Sequence, residues 1–212
     1  MIPELNQSPQ ISWENFSSTC VNLVFDLIEN KNKFEYHKSI LMQEPYGLFL
    51  GDDQVQNMKS IIEKMIEEPI WKYDEKSPSY VDSGLNDIIK KTQNWLWEML
   101  AACSVIYFDK TIFGFGSDSD MHLYSYKNKI KTTLVKKQRD YGSKNIEKFG
   151  INGIVIRIHD KIARLENLLN KNSFAENEPL QDTLLDIVGY SIIAVMWNNN
   201  YFMAPMVGES GE

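Results

Sequence analysis

Three carboxylates, Glu178, Asp182 and Asp186, recur every four residues in the segment EPLQDTLLDIVGYSIIAVMW, and the residues after Asp186 are almost all apolar. At that spacing the three side chains share one face of a helix. Acids set among apolar neighbours need a cation, a guanidinium or a proton to offset lost hydration. One helix upstream, IVIRIHDKIARLENLL places Arg157, Asp160, Lys161 and Arg164 on a polar stripe beside the apolar stripe of Val155, Ile158, Ile162, Leu165 and Leu169. In the acidic helix Leu184, Leu185, Ile187, Val188, Ile192, Ile193, Val195 and Met196 cover nearly the whole circumference. Its acidic edge must therefore also touch protein, and the charged stripe is the natural partner.

Such an arrangement can do phosphate chemistry. Glu178, Asp182, Asp186 and Asp160 offer the hard oxygen ligands that Mg²⁺ takes alongside phosphates and water. A metal held there would activate a water, with Asp182, Asp186 and Arg164 as the catalytic group and the arginine stabilising developing charge. Arg157 and Lys161, with Arg139 and Lys144 from the preceding loop, would meet phosphates. Tyr141, Asn145 and Phe149 would hold a base by stacking and hydrogen bonding. The plainer use of the same residues is an interhelical salt bridge from Arg157 or Arg164 to Asp182 or Asp186, with the aromatics packed in the core. His159 beside Asp160 does not make a histidine-aspartate metal site, because only His37 and His122 remain and neither has supporting spacing. Phosphate-loop, dinucleotide-binding, nucleophile-elbow and HExxH motifs are all absent.

The frame around these residues is that of a globular chain. It has 212 residues, 43% of them hydrophobic, enough to bury a sizeable core. No apolar run approaches the roughly 20 residues that cross a membrane, and MIPELNQSPQISW lacks the parts of a signal peptide, so a cytoplasmic protein is expected. Cys20 and Cys103 fall among apolar neighbours and read as reduced thiols, with neither a disulfide nor a zinc site. The net charge of -7 disfavours nucleic acid as a partner. Residues 127–148 are nonetheless basic, carrying Lys127, Lys129, Lys131, Lys136, Lys137, Arg139, Lys144 and Lys148 against Asp140 and Glu147. That stretch suits either phosphates or a solvated helix face.

Periodicity gives an all-α fold of five to seven helices. ENFSSTCVNLVFDLIENK spaces Phe16, Cys20, Leu23, Val24 and Leu27 for one helix, with the asparagine and lysine run after it as a turn. DQVQNMKSIIEKMIEE is a second, stopped by Pro69, and 69–84 reads as a long loop. A long core helix starts at a cap, Asp82 or Ser83, and carries Trp95, Leu96, Leu100, Cys103 and Val105. The glycines of TIFGFGSDSDMHLYSY allow a short hairpin near 111–126, and turns are expected at Gly142, at 150–153 and across KNSFAENEP. The organisation expected is a mobile leader over 1–12, an N-terminal helical region over 13–126, a second over 127–202 and a flexible tail over 203–212. A homo-oligomer is expected.

The string QRDYGSKNIEKFGINGIVIRIHDKIARLENLL followed by DTLLDIVGYSIIAV resembles the nucleotide modification associated domain type 1 family of phages and bacteria, over Gln138 to about Met196. The resemblance implies a role in phage or bacterial nucleotide metabolism. The paired acidic helices are also similar to the all-α nucleoside triphosphate pyrophosphohydrolases of the MazG and dimeric dUTPase type, which hold magnesium through ExxE and ExxD pairs. Here the acids stand four apart rather than three, and only Asp26 with Glu29 echoes the upstream pair. Two functions are implied: magnesium-dependent hydrolysis of a nucleotide phosphoanhydride, or a nucleotide-binding module without turnover that sequesters a signal or serves as an accessory subunit.

Overall fold

A computed structural model describes residues 11–43, 46–67, 83–112, 119–170 and 179–208, and the regular structure within them is entirely helical. The helices are α1 (Trp13–Glu29), α2 (Lys31–Leu41), α3 (Gln54–Glu67), α4 (Ser83–Ile112), α5 (Ser119–Tyr141), α6 (Lys144–Asn170) and α7 (Leu180–Asn198). Local chemistry sets their starts. The Ser12 hydroxyl accepts from the Asn15 N–H at 3.3 Å to cap α1, and the Asp53 carboxylate accepts from Val55 N–H at 2.9 Å to begin α3. Asn30 does two jobs: its N–H donates to the Asp26 carbonyl that ends α1, and its side chain accepts from Lys33 N–H at 3.1 Å to start α2. The asparagine and lysine run expected as a turn is therefore a one-residue break between two helices.

The centre of the core is the contact of α4 with α7. α6 covers another side of α7, α3 bridges α4 and α6, and α1 packs on α4, α5 and α7. Leu96, Met99, Leu100 and Cys103 of α4 are buried, as are Leu184, Ile187, Val188, Ile192 and Met196 of α7. Each such large apolar side chain contributes about 1.5–3 kcal/mol relative to exposure. The Ser104 hydroxyl donates to the Leu184 carbonyl at 3.0 Å, satisfying a polar group inside this interface. α7 is, contrary to the sequence expectation, long and apolar enough at 19 residues to cross a membrane by length and composition. Here that apolar surface is spent on α4, α6 and α1.

Two expectations change. The described parts of the proposed hairpin are the end of α4, at 111–112, and from Ser119 onward the start of α5, where Tyr126, Ile130 and Leu134 bury one helical stripe and Tyr126 stacks on Phe108 with centroids 3.8 Å apart. The expected flexible tail is held as far as residue 208. Phe202 and Met206 are buried, Trp13 N–H donates to the Pro205 carbonyl at 3.0 Å, and Val207 N–H donates to Glu14 at 2.9 Å. Residues 1–10 of the leader, most of the 69–84 loop with its Asp82 cap, the GFG at 114–116, the turn at 171–178 and residues 209–212 lie outside the described residues.

Glycine sets the path of the site-bearing helices at two points. Gly142 (φ 62) turns the chain from α5 to α6 with open space around a would-be Cβ. Gly150 (φ 54, ψ -146) kinks α6 instead of ending it, and a Cβ there would stand 3.4 Å from the Trp197 ring. Its backbone angles belong almost exclusively to glycine. Gly150→Ala should therefore lower stability by about 1–3 kcal/mol, and Gly142→Ala by about 1 kcal/mol, read from urea unfolding midpoints. Equal small losses would remove the kink as a constraint.

Candidate functional site

α6 and α7 run antiparallel in a fixed register. Arg164 donates to the Thr183 hydroxyl, Lys161 reaches the Asp186 carboxylate at 2.8 Å, the Arg157 guanidinium lies 5.8 Å from the Tyr190 ring centroid, and Gly150 backs onto Trp197. Positions rise on one helix as they fall on the other. Arg157, Lys161 and Arg164 thus form the stripe that the sequence places against α7, whereas Asp160 is exposed. Of the acidic ladder, Asp182 and Asp186 are described, and their surroundings differ. Asp182 is exposed, its charge adding to the burial that already pushes the Tyr126 phenol up, and Glu178 lies outside the described residues.

Asp186 alone meets the expectation of a buried acid with partners. Its side chain is 15% exposed, one oxygen accepts from Lys137 of α5 and the other from Lys161 of α6. Burial by itself would push this carboxyl up, but the hydrogen bonds and charges of the two lysines outweigh it and hold the carboxyl below the ordinary range. A salt bridge to α7 therefore exists, with Lys137 and Lys161 in place of Arg157 and Arg164. Among the described residues ammonium groups engage both Asp186 oxygens, Asp160 and Asp182 are exposed, and no three of His, Cys, Asp and Glu converge.

Beside this carboxylate is a cavity of about 320 Å³. Lys137, Gln138 and Tyr141 of α5, Asn145 and Arg157 of α6, and Asp186 and Tyr190 of α7 line it, with Trp13 and Phe202 as apolar wall. Arg157 is its organising cation. The Nη1 group donates to the Gly153 carbonyl at 3.2 Å and Nη2 to Asn145 Oδ1 at 2.9 Å, and the guanidinium faces the Tyr190 ring. Asn145 and Arg157 are 12 positions apart, about 18 Å along a straight helix. The kink at Gly150 makes their contact possible. Gly153 supplies the remaining space, since a Cβ there would lie 2.6 Å from Phe149 Cβ and 3.1 Å from Arg157 Nη1.

Of the residues singled out from the sequence, Arg157, Tyr141, Asn145 and Asp186 converge on this cavity. The other described ones do not line it. Arg139 reaches Glu14 of α1 at 3.5 Å, Lys144 is exposed, Phe149 is exposed beneath Lys148, and Lys161 and Arg164 serve the α6–α7 seam. Lys137, Gln138, Tyr190, Trp13 and Phe202 line the cavity without having been singled out for it. Tyr190 had a visible signal, because it extends the four-residue ladder one step beyond Asp186. No protein-family model, curated protein or solved structure matches the chain, so the site stands on its own geometry.

The lysine clamp has a pH signature. Asp186 is depressed in the fold, below the unfolded value of about 3.9, so its stabilisation is present above about pH 4 and is lost as pH falls through the folded value. Asp186→Asn should cost on the order of 1–3 kcal/mol near pH 7, and the gap from wild type should close in more acid solution. Urea unfolding at several pH values checks this; a gap that does not vary with pH would contradict the clamp.

Proposed function

We propose that this chain is a nucleotide-binding module whose pocket lies between α5, α6 and α7, and that it binds without requiring magnesium. One observation carries the reading: the Arg157 guanidinium stands on the cavity wall oriented by a carbonyl, an amide and an aromatic face, with no carboxylate paired to it among the described residues. A guanidinium held in place by neutral groups keeps its charge for an anion and presents a planar fork suited to phosphate. The rest of the lining suits the remainder of a nucleotide. Tyr141, 77% exposed, offers a ring face for stacking, and Gln138 and Asn145 offer amides for base or sugar edges. The resemblance of Gln138 to Met196 to the nucleotide modification associated domain supports the same ligand class.

The alternative, magnesium-dependent phosphoanhydride hydrolysis, needs Asp186 to exchange two ammonium partners for a metal. Binding uses the contacts as they stand. Calorimetric titration with nucleoside mono-, di- and triphosphates, with magnesium and then with EDTA, separates the two. Binding should persist in EDTA, and Arg157→Ala should weaken it about 10- to 100-fold, the worth of a charged hydrogen bond. Arg157→Lys should restore little, because a point charge cannot reproduce the fork. Saturable binding only with magnesium, accompanied by phosphate release, would replace this reading with the hydrolase.

A further inference from the structure

Arg157 shares the pocket with a second surplus of positive charge. Lys137 of α5 and Lys161 of α6 divide the one carboxylate of Asp186 between them, so the three groups together are net positive. The two lysines are placed differently. Lys137 lines the cavity with its side chain 49% exposed, whereas Lys161 is 24% exposed and does not line it. An ammonium has three N–H donors, and Asp186 takes one of those on Lys137. Lys161, 2.8 Å from the other oxygen, keeps the carboxylate matched when Lys137 turns toward a ligand. Asp186 and Tyr190, the α7 residues that face Lys137 and Arg157, are one helical turn apart, about 6 Å along the axis. Charged N–H···O contacts of about 2.7–2.9 Å to different oxygens of one phosphate bridge two donors at such a spacing.

We infer that the pocket takes its nucleotide by a terminal phosphate, bound as a dianion between Arg157 and Lys137, and discriminates against phosphodiesters such as cyclic nucleotides. This rests on the nucleotide-binding reading and names the chemical form of the ligand. Among the described residues, three cations, Lys137, Arg157 and Lys161, meet one carboxylate, Asp186, at or directly behind the cavity wall. Two positive charges are left over. A terminal phosphate that has lost both protons matches them, whereas a diester supplies a single negative charge. In a partly desolvated site the charge left unmatched by the diester favours the dianion. Lys137 is then both a tie from α5 to α7 and the second phosphate-binding residue. The ligand phosphate also carries the pH dependence. It faces Lys137 of α5, Arg157 of α6, and Asp186 and Tyr190 of α7, and no histidine is among the described residues of the lining. The lysines hold the Asp186 carboxyl below the ordinary range, so it stays charged in mild acid.

The experiment is calorimetric titration of the full chain in EDTA at about 0.15 M ionic strength, where surface charges are screened but the pocket is less so. The probes are adenosine and deoxyuridine mono-, di- and triphosphates, the terminal methyl ester of whichever binds most tightly, cyclic adenosine monophosphate and inorganic phosphate. At about pH 7.5 the free terminal phosphate should bind on the order of tenfold more tightly than its methyl ester. Its affinity should fall about tenfold between about pH 7.5 and pH 5, as the phosphate regains a proton with a pKa of about 6, while that of the ester stays level. In Lys137→Met, where Lys161 still matches Asp186, the preference for the free phosphate should fall toward unity. An ester or cyclic nucleotide that wild type binds as tightly as the free phosphate overturns the dianion assignment while leaving nucleotide binding intact, and that comparison needs no variant. A preference unmoved in folded Lys137→Met overturns the role of Lys137. Binding of no nucleotide, or of inorganic phosphate as tightly as any nucleotide, defeats the nucleotide-binding reading and this one with it.

Discussion

The interaction on which the site depends is the carboxylate of Asp186 held between Lys137 and Lys161. α7 is apolar around nearly its whole circumference, so past its first turn polar positions such as Asp186 and Ser191 are pressed against other helices rather than left in water. A carboxylate with 15% exposure is tolerable there only if ionic partners offset its desolvation. Lysines suit the task because their long stems cover apolar surface while the ammonium reaches the acid. One of them comes from α5 and the other from α6, so a single side chain ties three helices and fixes the register in which Arg157 meets Tyr190.

With that register set, the position of Arg157 depends on glycine. A straight α6 would leave Asn145 far up the helix from Arg157, and the kink at Gly150 folds the first turns back so that an amide reaches the guanidinium. Gly153 then clears the surface over which the arginine lies. Neither glycine offers chemistry of its own. Each removes a Cβ that would push the functional side chain off its line, which is why a glycine pair bracketing a helix turn is informative once a charged residue comes after it at close range.

The seam between α6 and α7 was legible in the sequence because two helical periods constrain each other. An apolar stripe of Val155, Ile158, Ile162 and Leu165 fixes where Arg157, Lys161 and Arg164 must point, and a nearly all-apolar partner leaves them one edge to meet. The two described ladder positions differ for a related reason. Equal spacing puts Asp182 and Asp186 on one face, but burial changes along a helix, and at the first turn of α7 that face is already in solvent. Lys137 was hidden by a different ambiguity. Within the basic run the helical phase is set by Tyr126, Ile130 and Leu134, and a reading that allows a hairpin before residue 127 loses the phase that turns Lys137, rather than Arg139, toward α7. α2 was missed because Asn30 is both a stop and a start, and asparagine followed by lysines looks like a turn until both roles are weighed.

Two bases on one stripe of α6 therefore end in different states. Lys161 is matched by a carboxylate, and Arg157 is steered by an amide, a carbonyl and a ring with no acid paired to it among the described residues. Structure alone would be served by repeating the ion pair, since an acid at Asn145 or Tyr190 would bind Arg157 more strongly than the present neutral groups do. Those positions instead orient the charge on a concave wall, with no carboxylate paired to it among the described residues. Oriented but unmatched charge is what anion recognition requires: the geometry is settled before the ligand arrives, and the electrostatic gain is realised only when it does.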